Sequence, residues 1–128
     1  MTSAVTPQAD RDAVAATVHD YFDSWFAGDA ERMRRALHPE LAKRGMLRGD
    51  LETDTAESMV AATAEGFGTR YEPARRGYRV DVVHVHGDIA TATAVGGVYV
   101  EYLHLVRVDG RWQIVNALWA HAADVDTT

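Results

Sequence analysis

The 128-residue chain has no cysteine, three prolines, no long apolar run and no surplus of basic residues. Without cysteine there is no disulfide, no thiolate nucleophile and no sulfur-ligated zinc. Acidic residues number 19 against 13 Lys and Arg, for a net charge of −6, which argues against a nucleic-acid partner because phosphate binding needs an excess of cations. The basic run Arg32, Arg34 and Arg35 reads as one solvated helix face. No stretch approaches the ~20 apolar residues of a membrane-spanning helix. The opening MTSAVTPQADRD has neither the basic start nor the apolar segment of a signal peptide. A cytoplasmic protein with neither nucleic acid nor membrane as partner is expected. There is no Ser-His-Asp arrangement, and VGGV at 95–98 lacks the strand-to-helix setting of a phosphate-cradling loop. No motif implies an organic cofactor.

What is present is the balance of a globular protein: 47% of residues are apolar and 25% charged. The length suits one domain over 1–128, with about 1–8 and 122–128 as flexible tails. Thr6 is placed to cap a first helix with Pro7 at its first position, and Val14, Val18, Tyr21, Phe22 and Trp25 fall on one helical stripe. Gly28 ends that helix. Asp29 caps a short second one through Leu37, with Met33, Ala36 and Leu37 inward, ended by His38-Pro39. His38 there suits a C-terminal cap, where an imidazolium favours the helix dipole. Residues 40–52 read as a loop or irregular strand. DTAE at 54–57 starts a third helix with a capping-box pattern, burying Met59, Val60, Thr63 and Phe67.

From Tyr78 the period changes to two, with hairpin turns at Gly87-Asp88 and Asp109-Gly110. VGGV reads either as a third turn or as a bulge in one long strand. Three helices followed by antiparallel strands is an α+β order. Along the strand 98–108, the alternation puts Val98, Val100, Tyr102, His104 and Val106 on one face and Glu101, Leu103 and Leu105 on the other. His84 and His86 also share a strand face, a spacing that suits two metal ligands. Neither Asp81 nor Asp88 has the register for a third, so no metal site is expected.

The segment YFDSWFAGDAERMRRALHPEL, the third helix and the closing VDGRWQIVNALWAH resemble the nuclear-transport-factor-two-like superfamily over nearly the whole chain. GRWQIVNALW looks most like its branch labelled "Putative lumazine-binding", beside the SnoaL-like cyclases. The resemblance implies a cone: a curved antiparallel sheet wrapped around three N-terminal helices, a cystatin-like α+β barrel, with a pocket between sheet and helices. Ketosteroid isomerases belong to the same superfamily. Position by position, Tyr21 falls where they place an oxyanion-hole phenol, His104 where they place a protonated carboxylic acid, and Trp119 where they place a pocket aromatic. Their carboxylate base falls at Gly45, between Arg44 and Met46, so the resemblance leaves ring isomerisation without a proton acceptor.

The implied concave face would carry Tyr102 and His104, giving His104 either a ligand to bond or a satisfied buried partner such as Tyr21. Lys43 and Arg44 would line the mouth of the cone, and His121 its rim. The expected ligand-binding set is Tyr21, Trp25, Arg44, Met46, Met59, Tyr102, His104, Trp119 and His121. One reading is a binding protein for a flat, mostly apolar organic ligand. The alternative is a cyclase, dehydratase or isomerase with His104 as acid or base and Tyr21 polarising a carbonyl. A third is an association module. The convex face, carrying Leu103 and Leu105 with the alanine-rich ATATAVGG, would be the contact of a homodimer.

Overall fold

In the computed structural model, described for residues 7–123 and 125, the long α1 (Pro7–Ala27) lies against one face of a six-stranded sheet. It is followed by α2 (Ala30–Ala36), β1 (Leu37–Leu47), β2 (Asp50–Asp54) and α3 (Ala56–Ala64). Two 3-10 turns, at Phe67–Arg70 and Pro73–Arg75, lead to β3 (Tyr78–His86), β4 (Ile89–Gly96), β5 (Tyr99–Val108) and β6 (Arg111–His121). The sheet order is β2-β1-β6-β5-β4-β3. The α+β class is as expected, and the sheet is curved, mixed and unclosed. Its one parallel pairing joins β1 to β6, and β2 and β3 are its edges.

Local chemistry accounts for the helix boundaries. Asp29 accepts from the Arg32 amide, and Thr55 accepts from the Ser58 amide while Ser58 Oγ accepts from Thr55 N, so Ser58 completes the capping box. The expected Thr6 cap lies outside the described residues, as do 1–6 of the expected N-terminal tail, whereas Pro7 and Gln8 belong to α1. Val14, Val18, Tyr21 and Phe22 are buried, joined by Phe26, with Trp25 half-buried. In the short helices, Met33, Ala36, Met59, Val60 and Thr63 are buried as the spacing implies. Phe67 is not: it sits in the first 3-10 turn and is 42% exposed.

Of the two readings of residues 40–52 the strand holds: they lie in β1 and β2, joined by a turn at Arg48-Gly49. The buried positions of β1 are Leu37, Leu41, Lys43 and Gly45, and from residue 40 on only Leu41 is an apolar side chain, so no period-two signal emerges there. His38 is drawn into β1, where its Nδ1 accepts the Glu40 amide at 3.0 Å; it does not cap α2. VGGV closes a third hairpin, with β4 ending at Gly96 and β5 beginning at Tyr99. Gly97 is needed there because a Cβ would press on the Arg75 carbonyl.

The largest departure is the parity of β5. Tyr99, Glu101, Leu103 and Leu105 face the helices, and Tyr102 and His104 face outward. The even-numbered side chains are as apolar as the odd, so alternation alone could not choose, and Glu101 argued for the wrong face. On β4 the buried residues are Ala90, Ala92 and Ala94, whose small side chains admit α1 against the sheet. Leu103, Leu105 and Ile114 complete that core, each contributing roughly 1.5–3 kcal/mol by burial.

Candidate functional site

Toward one end of the inner sheet face the packing gives way to a cavity of about 300 Å³. Its wall includes Tyr21, Trp25, Met59, Tyr71, Tyr99 and Trp119. Aromatic edges meet faces around it: Trp119 is perpendicular to Tyr99 at 5.6 Å and to His121 at 5.2 Å, and His121 stacks on Tyr99 at 5.4 Å. Trp25 Nε1 donates to the Tyr99 hydroxyl at 3.0 Å, fixing that ring.

Gly45 makes room for the Trp119 indole. It pairs with Trp119 across the parallel ladder, and a Cβ on it would overlap the indole. The position aligned with the isomerase base thus holds a residue whose use is the absence of a side chain.

Three polar groups meet at the cavity wall. Lys43 Nζ hydrogen-bonds the Tyr21 hydroxyl, which lies 2.8 Å from Glu101 Oε1, and Lys43 Nζ stands 3.9 Å from that oxygen. Lys43 is 7% exposed and Glu101 2%. Loss of water raises the Glu101 pKa and lowers that of Lys43, each opposed by attraction to the other. Burial and the adjacent carboxylate push the Tyr21 phenol well above its ordinary value. The phenol can pass a proton either way: ammonium to phenol to carboxylate, or carboxylic acid to phenol to amine. Both arrangements hold the same number of protons and no net charge. Asp54 borders the same cavity and pairs with Lys43 across the β1-β2 ladder.

Two further polar atoms on residues that line the cavity, Trp119 Nε1 and His121 Nδ1, are buried without a hydrogen-bond partner among the described residues. Such orphans are rare in folded proteins and each carries a desolvation cost. Burial lowers the His121 pKa.

Of the expected ligand-binding set, the structure brings Tyr21, Trp25, Met59, Trp119 and His121 to this cavity. Arg44, Met46, Tyr102 and His104 are exposed on the outer sheet face, a consequence of the β5 parity and of Lys43 pointing inward on β1. His104 Nδ1 accepts from the Asn116 amide at 3.3 Å beside an open depression that His84 and His86 also border. The neighbour of Tyr21 is therefore Glu101 and not His104. Lys43 and Glu101 were missed as a pair, though one signal was available: Lys43 is the only lysine in the chain, every other basic position being arginine.

Residues 9–120 match the family described as "Putative lumazine-binding". The chain belongs to that family. Its fold is shared with an NTF-2-like protein of unknown function from Silicibacter pomeroyi, at 21% identity and a TM-score of 0.79, covering 91% of this chain and 99% of the other. An NTF2-like protein of unknown function from Shewanella baltica superposes with a TM-score of 0.73 at 14% identity, covering 97% of this chain and all of that one. A ketosteroid isomerase-like protein from Erwinia carotovora atroseptica gives 0.66 at 16% identity over 88% of this chain and 95% of its own. No curated protein matches the chain. Among the described residues no helix is long and apolar enough to cross a membrane.

Proposed function

We propose that this member of the "Putative lumazine-binding" family binds a small, flat organic ligand in the inner cavity. The aromatic wall carries this reading, because Trp25, Tyr71, Tyr99 and Trp119 line the cavity with rings that suit the faces of a flat ligand. The cavity volume is at the small end of the range for ligand sites, which favours one or two fused rings. Lumazine, the ring in the family's description, is the first probe. Titration with lumazine, followed by tryptophan fluorescence, is expected to saturate, and Trp119→Ala to weaken binding about tenfold by removing part of the aromatic wall. Native mass spectrometry of the purified protein tests for other ligands. An empty cavity by that method together with no lumazine binding would sink the proposal.

The hydrogen-bonded Lys43, Tyr21 and Glu101 favour a second reading, acid/base turnover in the same cavity. In it Glu101 replaces His104 as the acid beside Tyr21, and Lys43 stands at the other end of the proton path.

A homodimer through the outer sheet face accompanies either reading. Its contact would use Tyr102, Leu118 and Met46, which are 56%, 47% and 46% exposed, while Leu103 and Leu105 belong to the core. Sedimentation equilibrium giving a monomer at all concentrations would exclude it.

A further inference from the structure

We propose that Lys43 is a carbonyl-condensing amine, and that the cavity takes small aromatic aldehydes or ketones and holds them as an imine on Nζ. This rests on the small-molecule reading of the cavity. An amine can attack a carbonyl only when its lone pair is free, and an exposed lysine is protonated at neutral pH. Lysine, unlike arginine, can be brought to neutrality by burial. This chain uses arginine at every other basic position and places its single lysine at the wall of an aromatic cavity. Lys43 Nζ lies 4.9 Å from the centre of the Tyr21 ring and 5.6 Å from that of Trp119.

The neighbours hold the proton the reaction needs. When the Lys43 proton has passed through the Tyr21 hydroxyl to Glu101, the amine is free and the carboxyl is an acid. The nitrogen lone pair forms a C–N bond with the carbonyl carbon, and the carbonyl π pair moves to oxygen. A proton then passes from nitrogen to that oxygen, giving a neutral carbinolamine. Glu101 next delivers its proton through Tyr21 to the hydroxyl, the C–O bond breaks, and water departs with the bonding pair. The nitrogen lone pair closes the C=N bond, leaving an iminium cation opposite the Glu101 carboxylate. Charge is balanced at start and finish, and nothing is oxidised or reduced.

The test pairs benzaldehyde with benzyl alcohol, which has the same ring but no carbonyl. Benzyl alcohol should bind, read by tryptophan fluorescence. Benzaldehyde with sodium cyanoborohydride, which reduces an iminium to a stable amine, should leave one benzyl group on the Lys43 peptide of the wild-type protein. Saturating benzyl alcohol should suppress that label. Lys43→Arg, which retains a cation, should give none at that position, and Tyr21→Phe should slow labelling about 100-fold by breaking the proton path. Benzyl alcohol binding without a label on Lys43 would overturn the inference and leave the cavity reading standing. Failure of both to bind would overturn the two together. A label that benzyl alcohol does not suppress would overturn the placement of the reaction in the cavity.

Discussion

The two faces of strand β5 are alike in apolar content and differ in their polar members. The inner face carries a carboxylate at Glu101 and meets the ammonium of Lys43 on β1, whereas the outer face presents Tyr102 with Leu118 beside it. Hydrophobicity alone does not choose between them, since Leu103 and Leu105 lie on the inner face and Val100 and Val106 on the outer. Burial is instead decided by whether a polar group finds partners, and Glu101 finds two, the Tyr21 hydroxyl and Lys43. Single uncompensated charges are excluded from a core, but a bridged pair is not.

Breaking that pair should have the largest effect. Lys43→Met or Glu101→Leu alone should each cost about 3–5 kcal/mol by stranding the partner, while the double substitution should recover most of the loss. Their pH dependence should have opposite signs. In Lys43→Met, Glu101 keeps a raised pKa, so the folded state binds the extra proton between the unfolded value, near 4.3, and the raised one. Stability should then fall as pH rises through that window, by up to ~1.4 kcal/mol per pH unit. In Glu101→Leu, the Lys43 pKa is lowered, so the unfolded state binds the extra proton between that lowered value and about 10.4. Stability should rise with pH there by the same slope. The intact pair, holding one proton in either arrangement, should add no slope between those limits. Urea denaturation at several pH values measures all three, and parallel slopes in the two single variants would refute the pairing.

A smaller effect should come from Gly45→Ala, which forces the Trp119 indole to move and should cost about 1–3 kcal/mol. Lumazine titration of the same variant should show weaker binding, since the displaced indole is part of the cavity wall. Unchanged stability and binding would mean that the indole does not need the space at Gly45.

The same contrast explains what could be read from the sequence. The α1 stripe and the turns at Gly87-Asp88 and Asp109-Gly110 were legible, because helical spacing and turn dipeptides act locally. The β5 parity was not, since Val100, Tyr102 and Val106 compete with Leu103 and Leu105, and the partners that permit Glu101 inside come from positions 21 and 43. β1 was hidden for the same reason, having a lysine and a glycine on its buried side. Of the site, Tyr21, Trp25, Met59, Trp119 and His121 were found through helical stripe and resemblance, and Lys43 with Glu101 emerged only once the strands were in register.

On the outer face the expected effect is smaller again and falls on assembly. Leu118 is flanked across the ladder by Tyr102 and Arg44. In the proposed two-fold contact each substitution occurs twice, so Leu118→Glu should weaken that dimer at least tenfold, about 1.4 kcal/mol, without altering lumazine binding. Sedimentation equilibrium reads the first and fluorescence the second. A loss of ligand binding at unchanged assembly would connect this face to the cavity and erase the distinction between the two.

The smallest effect belongs to the residue that the sequence placed at the centre. His104 is exposed, and its hydrogen bond to Asn116 spans 3.3 Å where water competes for both groups. His104→Ala should change stability by no more than about 0.5 kcal/mol, leave lumazine affinity intact and leave benzaldehyde labelling of Lys43 at the wild-type rate. Glu101→Gln, three positions earlier on the same strand, keeps the shape of the side chain but cannot take up or deliver the relayed proton, and should slow that labelling. The pair of substitutions tests parity directly, because a shift of one residue along a strand exchanges its faces. If His104→Ala impaired binding and Glu101→Gln did not, β5 would have to be turned over and the inner cavity rebuilt around the imidazole.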